Sequence, residues 1–327
     1  MVVSEKKSYA SNVSNQLAST SFFLAGLPGL ENEQVWISIP FGIIYLLALL
    51  GNATLLWVVW TESSLHKPVY FFLSMLALTD MAVPTCILPK MLSIFWMGVQ
   101  EITFAACLVQ MFMVHALCAV ESGTLESGTL TAMAYDRYVA ICSPLSYTSL
   151  LTTTTVAKLG VVIVARAVVS ILPVPFLASR LPYCHSHLIS HSYCEHMAVV
   201  KLACGDTTPN KRYGLALTIV IVGFDLGFIF ISYGLILHAV FRLPSVEARH
   251  KALGTCGAHV MVILYTPALF SALTHRFGHN VPHRVHIFLA NIYLVAPAML
   301  NPIVYGAKTK EIHNQVLRAL CPRKNTS

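Results

Sequence analysis

Charged side chains are scarce in this sequence. Asp, Glu, Lys and Arg together make up 11% of its 327 residues, against 56% hydrophobic. A soluble domain carries about 25% charged residues, so most of this chain does not cover a solvated surface. Acidic residues are the rarer sign, 14 against 21 basic, and the net charge is +7. Strings that announce hydrolytic chemistry are missing too. Neither H-E-x-x-H nor G-x-S-x-G occurs, which argues against a metallopeptidase helix or a nucleophile elbow, and so against an enzyme. No pattern of spans repeats between the two halves, as it would in many secondary transporters. The first 21 residues are polar. No cleavable leader is therefore expected, and the first apolar run should serve as its own insertion signal.

What the chain has is apolar length. Residues 35–60 form an uncharged run, long enough at ~1.5 Å per residue to cross a hydrocarbon core of ~30 Å. Six more lie at about 69–88, 102–134, 159–177, 213–241, 252–272 and 285–305. The expected fold is an all-α membrane protein, a seven-transmembrane helix bundle. The fourth run is the weakest, interrupted by Arg166, Pro173 and Pro175; prolines are tolerated where neighbouring helices re-satisfy the backbone. Basic residues near the run ends set the orientation. With the N-terminus outside, Lys67, Arg137, Lys158, Arg242, Arg249, Lys251 and the tail lysines and arginines face inward. Arg180, Lys201, Lys211, Arg212, Arg276 and Arg284 face outward, so the bias is moderate and the tail and third inner loop decide it.

The expected organisation is an extracellular tail (1–34), a seven-transmembrane domain (35–306) and a cytoplasmic tail (307–327). In the last, residues 308–320 alternate basic and apolar at helical spacing, which suggests a short amphipathic helix on the inner membrane surface. The basic surplus suits anionic membrane lipid and is not read as nucleic-acid binding. Asn12-Val13-Ser14 is a glycosylation sequon on the expected outer side, whereas Asn52-Ala53-Thr54 lies inside the first run and Asn325-Thr326-Ser327 on the inner side.

Eight of the nine cysteines divide by depth. Cys86, Cys118, Cys142 and Cys256 fall within or near runs and read as small buried hydrophobes. Cys107, Cys184, Cys194 and Cys204 fall on the outer side, where three pairings are open. The same loop holds His185, His187, His191 and His196. A polar, disulfide-held lid is preferred there to a zinc or copper site. Ionisable groups inside runs are the default functional candidates, because an unpaired charge in lipid is expensive. Asp80 and Glu121 each lie half-way along a run; facing each other they would repel unless a Na⁺ ion or a proton sits between them. Core glue, with one of them protonated, is the plainer account. His115 lies two turns, ~12 Å, deeper than Cys107 and is read either as a pocket donor or as a satisfied core histidine. Arg276, just past the sixth run, is read either as an anion anchor or as a snorkelling side chain. Asp136, Arg137 and Tyr138 stand where the third run gives way to a Ser-Pro-Leu turn, and Arg137 held by Asp136 is a latch that can open. Asn301, Pro302 and Tyr305 close the seventh run; Pro302 leaves a carbonyl one turn back without its partner, so that the helix can bend.

Several strings resemble one family across nearly the whole chain. They are Gly51-Asn52, K-P-V-Y-F-F-L-S-M-L-A-L-T-D (67–80), M-A-Y-D-R-Y-V-A-I-C (133–142), K-A-L-G-T-C-G-A-H (251–259) and N-P-I-V-Y (301–305). Together they resemble the olfactory receptors of the rhodopsin-like G-protein-coupled superfamily. The histidine-rich second outer loop and T-H-R-F-G-H (274–279) resemble the class I, fish-like branch, which is associated with small carboxylic acids. The resemblance implies disulfides Cys107–Cys194 and Cys184–Cys204, a carboxylate anchor at Arg276 and pocket polarity from His115. It also implies a small odorant as ligand and coupling to a stimulatory, olfactory-type G protein through the Arg137 region. The alternatives are a non-signalling membrane protein of the same fold, or a secondary transporter using Asp80 and Glu121.

One departure stands out. Glu121-Ser122-Gly123-Thr124-Leu125 is succeeded at once by Glu126-Ser127-Gly128-Thr129-Leu130. Counted from Cys107 to Glu121, or from Glu126 to Asp136, the spacing matches the family, so one copy is extra. Five added residues lengthen an α-helix by ~7.5 Å and turn it by ~500°, leaving its halves about 140° out of phase. Glu121 or Glu126 could then face Asp80. Impaired coupling, impaired surface expression or both are expected; the benign alternative is a local loop-out that leaves both ends in place.

Overall fold

The computed structural model of the protein describes residues 21–30, 32–66, 68–124, 153–184, 187–241, 283–308 and 312–315. The expected sixth run lies outside these residues. The helices are α1 (Gln34–Thr61), α2 (Pro68–Met97), α3 (Phe104–Thr124), α4 (Thr153–Ile171), α5 (Pro173–Ser179), α6 (His196–Val200), α7 (Thr208–Phe241) and α8 (His283–Lys308). Among the described residues five helical segments are long and apolar enough to cross a membrane: α1, Tyr70–Met97 of α2, α3, the α4–α5 pair, and Arg284–Gly306 of α8. Helix α7 runs for 34 residues.

These helices are apolar around most of their circumference, as a helix flanked by protein on one side and lipid on the other must be. On α1, Phe41, Ala48, Leu55 and Val58 are buried, whereas Ile43, Leu46, Leu50 and Trp60 remain exposed in the bundle. Trp36 lies at one end of α1, with exposed Trp57 and Trp60 at the other. Trp36 and Trp57 are ~32 Å apart along the helix, about the thickness of a hydrocarbon core, which suits indole rings lying at both interfaces.

The fourth run is broken where its prolines predict. Helix α4 stops at Ile171 and α5 restarts with Pro173 at its first position, where the missing N–H costs nothing. The second span outruns its expected end. Pro84 and Pro89 lie inside α2, which continues to Met97. Near its outer end Lys90 Nζ donates to the carbonyls of Val99 (2.9 Å) and Glu101 (2.6 Å), so the ammonium is satisfied at the membrane edge.

A small sheet covers the outer end, with strands β1 (Ser21–Leu24), β2 (Glu101–Thr103) and β3 (Leu188–Ile189) in the order β2-β1-β3. Strand β1 pairs antiparallel with β2, Phe22 opposite Ile102, and parallel with β3, Leu24 opposite Ile189. Residues 21–30, expected in a polar tail, are thus part of the packed body. Phe22, Leu24 and Leu27 are buried against Leu88, Met91, Phe95, Phe104 and Ile189. A second cluster closes the opposite end, where Tyr305 and Ile312 pack with Leu55, Val58, Tyr70 and Leu73. Residues 312–315 are helical.

Candidate functional site

The middle of the bundle is held by polar contacts that the apolar spans cannot replace. Asp80 on α2 is buried, and Asn301 on α8 donates to both its carboxylate oxygens, at 3.2 and 3.0 Å. The Glu121 carboxyl on α3 is close enough to bear on Asp80 electrostatically. Asp80 and Glu121 are thus brought near one another, while Glu126 of the second copy lies outside the described residues. Two carboxylates and an amide make a set of hard oxygen donors, which fits a small cation such as Na⁺.

Pro302 has no N–H to offer the Ala298 carbonyl four residues back. Asn52 of α1 supplies the missing donor. Its Nδ2 bonds Ala298 O at 2.8 Å and its own helix at Ala48 O at 2.9 Å. Gly51 makes room for the ring, since a Cβ there would lie 2.9 Å from Pro302 Cγ. Tyr305 is buried one turn further on.

The outer site is built by the loop between α5 and α7. Cys107 at the start of α3 is bridged to Cys194, and Cys184 to Cys204, with Cα–Cα separations of 5.4 and 6.0 Å. Those are the pairings that the resemblance implied, out of three left open by depth alone. Gln110, one turn after Cys107, was not singled out from the sequence. Its Nε2 donates to Cys86 O of α2 (2.8 Å) and its Oε1 accepts from Cys194 N (2.9 Å), tying two helices to the loop. A lone amide in an apolar run was the available signal. Ser192 Oγ bonds Asn291 Oδ1 on α8 at 2.8 Å, so the same loop reaches the seventh span.

His115 lies on α3 beneath this loop, close enough to Glu195 and His196 for their charges to act on it. Glu195 caps α6, accepting from Ala198 N at 2.6 Å. His196 is buried, and that burial holds its imidazole below the usual histidine range despite the neighbouring Glu195 carboxylate. Burial likewise raises the Tyr193 phenol well above its ordinary value, with Glu195 adding to the effect. The roof of the outer site is therefore lined by the buried polar side chains of His196 and Tyr193 beside the Glu195 carboxylate. Cys86 and Cys118 are half-buried free thiols inside helices. Among the described residues no three His, Cys, Asp or Glu side chains converge as a metal site. Asn12, Glu126, Asp136, Arg137, Tyr138 and Arg276 lie outside the described residues.

Comparison with known proteins bears on the whole chain. Residues 41–323 match the family model described as "Olfactory receptor". Olfactory receptor 52P1 of Homo sapiens is 56% identical over 299 residues, covering 91% of this chain and 92% of that protein. Olfactory receptor 52D1 of Homo sapiens is 51% identical over 313 residues (95% and 97%), and olfactory receptor 52K1 of Homo sapiens is 53% identical over 306 (93% and 96%). With buried polar contacts at mid-bundle, a disulfide-held outer loop and likeness of this extent, the chain belongs to the olfactory receptor family: it is a multi-pass membrane protein of the rhodopsin-like, G-protein-coupled kind, an odorant receptor and not an enzyme.

Proposed function

We propose that this receptor takes small carboxylic acids in a pocket between the third, fifth and sixth spans, beneath the second outer loop. The N-terminus is outside, and the signal passes to a stimulatory, olfactory-type G protein. The observation that carries the ligand reading is the outer end of α3, where His115 lies under a loop anchored by Cys107–Cys194 and by Gln110. A buried polar surround favours a ligand that brings its own charge to a fixed cation, since a charge-assisted bond gains strength in a low-dielectric site. Arg276 is that cation, His115 adds a polar contact, and the apolar wall holds the alkyl tail. Binding must prefer the active packing over the resting one. In the active packing Arg137 leaves Asp136, Tyr138 and Tyr305 move with the inner ends, and the bend at Asn301-Pro302 accommodates the shift. The cytoplasmic segment 308–320 lies on the membrane, and Asn12 carries glycan.

The test is cyclic AMP in cells given short and medium carboxylic acids beside uncharged odorants. Arg276→Ala is expected to abolish responses to the acids and to spare the uncharged ligands. An equal loss for both would assign Arg276 a structural role instead.

At mid-bundle Asp80 and Glu121 hold a Na⁺ ion on this reading, supported by the approach of two carboxylates in a buried setting. A ligand that binds only the folded state stabilises it by mass action. The thermal midpoint of the purified receptor should then rise by about 2–5 °C when NaCl replaces N-methylglucamine chloride at equal ionic strength. Asp80→Asn should remove the difference; a midpoint indifferent to Na⁺ leaves the pair as structural glue.

A second reading is favoured by the tandem repeat at 121–130. It is that of a protein with the receptor fold whose coupling is impaired because the segment carrying Asp136 and Arg137 comes after an extra turn of about 1.4 helical repeats. Transport through Asp80 and Glu121 remains the alternative from another class, and uptake measurements separate it from signalling.

A further inference from the structure

The second outer loop meets the fifth span at a buried histidine. His196, the first residue of α6, is only 5% exposed, and its ring lies against α7 where Gly214 leaves space. A Cβ at Gly214 would come within 3.3 Å of His196 Cε1 and 3.5 Å of Nδ1. One turn earlier on the same helix, Asn210 is 2% exposed, and its side chain is the polar neighbour of the ring. His196 Nε2 and Asn210 Oδ1 are both buried with no hydrogen-bond partner at bonding distance among the described residues. The Nε2–H tautomer matches the one as donor to the other as acceptor. Asn210 Nδ2 is turned the other way, toward Leu177 O of α5 at 3.4 Å.

We propose that His196 is the clasp that seats the second outer loop on the fifth span over the odorant pocket, and that the clasp opens when its imidazole takes a proton. The proposal rests on the odorant-receptor reading only for what lies beneath the clasp. A docked, neutral ring has one N–H to place, and the Asn210 side chain is its polar neighbour. A protonated ring brings a second N–H and a full charge into a site only 5% exposed, where the one neighbouring carboxylate, Glu195, already accepts from Ala198 N. The groups that face it are few. From its own element there is Glu195; from α3 there is His115, on which a charge on His196 would bear; from α7 there are the neutral Asn210 and Gly214. Lys211 and Arg212 on α7 are exposed and act on Asp206 instead.

Burial also sets the direction of the pH effect, because it lowers the affinity of the docked imidazole for a proton relative to the undocked one. Docking is therefore complete above the ordinary histidine range and is lost as pH falls through it, because the undocked ring takes up the proton. The undocked ring titrates near the ordinary histidine value of ~6.5 and the docked ring lower, so the open population rises by up to about tenfold between pH 7.5 and 5.5. As His196 positions the roof and touches no reacting atom, it is a positioning residue.

The test uses the full-length receptor in lipid nanodiscs, with no odorant and no G protein. Hydrogen–deuterium exchange is monitored across residues 196–204 at pH 7.5 and 5.5, each corrected for intrinsic exchange. The wild-type chain is expected to open up to about tenfold more at the lower pH, and His196→Gln, whose amide does not titrate, less than about twofold more. Gly214→Ala guards against a glutamine variant that fails to fold: its methyl crowds the ring by a few tenths of an ångström, so exchange at pH 7.5 should rise above the wild-type value at that pH. A flat wild-type profile overturns the proposal, as does full pH dependence in His196→Gln or an unchanged Gly214→Ala. Since neither cyclic AMP nor ligand enters the measurement, failure of the clasp and failure of the odorant reading are distinguishable.

Discussion

Gly51 and Asn52 act as one device, and each is explained by Pro302. The proline removes the donor that Ala298 O would have had, and a carbonyl left bare inside a bundle costs several kcal/mol in a lipid setting. Asn52 Nδ2 meets that oxygen at 2.8 Å, while Gly51 lets the ring come close enough for the meeting. The pair thus makes a bendable seventh span tolerable in the resting packing. Asn52→Leu is expected to destabilise the protein by about 1–3 kcal/mol, the cost of an unsatisfied buried acceptor. Gly51→Ala places a methyl 2.9 Å from Pro302 Cγ and forces α1 and α8 apart; a loss of about 1–3 kcal/mol is expected from such overpacking. Thermal unfolding of the purified receptor, with Gly42→Ala as control because nothing lies within 4 Å of that position, checks both. If all three variants melt together, the device is idle.

At the scale of elements, the sequence made legible whatever announces itself against an apolar background. Asp80 and Glu121 stood out as lone carboxylates in uncharged runs, and they do approach each other. The break in the fourth span was legible because Pro173 removes a donor at a known place. The outer sheet was not legible. Its strands are four, three and two residues long, too short for a period of two to show, and their pairings are distant in the chain. Phe22 lies opposite Ile102, and Leu24 opposite Ile189. Polarity of the first twenty residues concealed the apolar S-F-F-L-A-G-L beyond them. That segment then bends through Gly26 at φ 71°, a left-handed turn that delivers Leu27 into the outer cluster. Gln110 was missed for a different reason. Its value lies in two partners on separate elements, and a lone amide in an apolar run does not name its partners. Nor did spacing reveal His196, since its seat depends on Asn210 and Gly214, which read as ordinary residues of a fifth span.

For the whole molecule, the question is which half of α3 bears the extra five residues. The outer half is in place. Cys107 is bridged to Cys194, Gln110 ties α2 to the loop, and Glu121 of the first copy meets Asp80. Gly123 fits closely against Ile163 of α4, where an added Cβ would lie 3.0 Å from Cγ2, so the helix is packed against its neighbour close to its described end at Thr124. If coupling is impaired, the sequence places the extra ~7.5 Å and about 140° between Thr124 and Asp136, outside the described residues. A switch that couples two faces needs both ends of one rigid element in register, and typical coupling free energies of about 1–3 kcal/mol are easily lost to a misplaced contact. Deleting residues 126–130 keeps Glu121 beside Asp80 and returns Asp136 and Arg137 to the spacing of the family. The shortened chain is expected to show higher surface staining and, with carboxylic acids, a cyclic AMP response at least about tenfold more sensitive than that of the full sequence. Equal staining and equal response from the two chains would mean that the second copy is absorbed locally beyond Thr124. The coupling defect would then have no basis, and the full-length chain would stand as a working receptor with a longer third span.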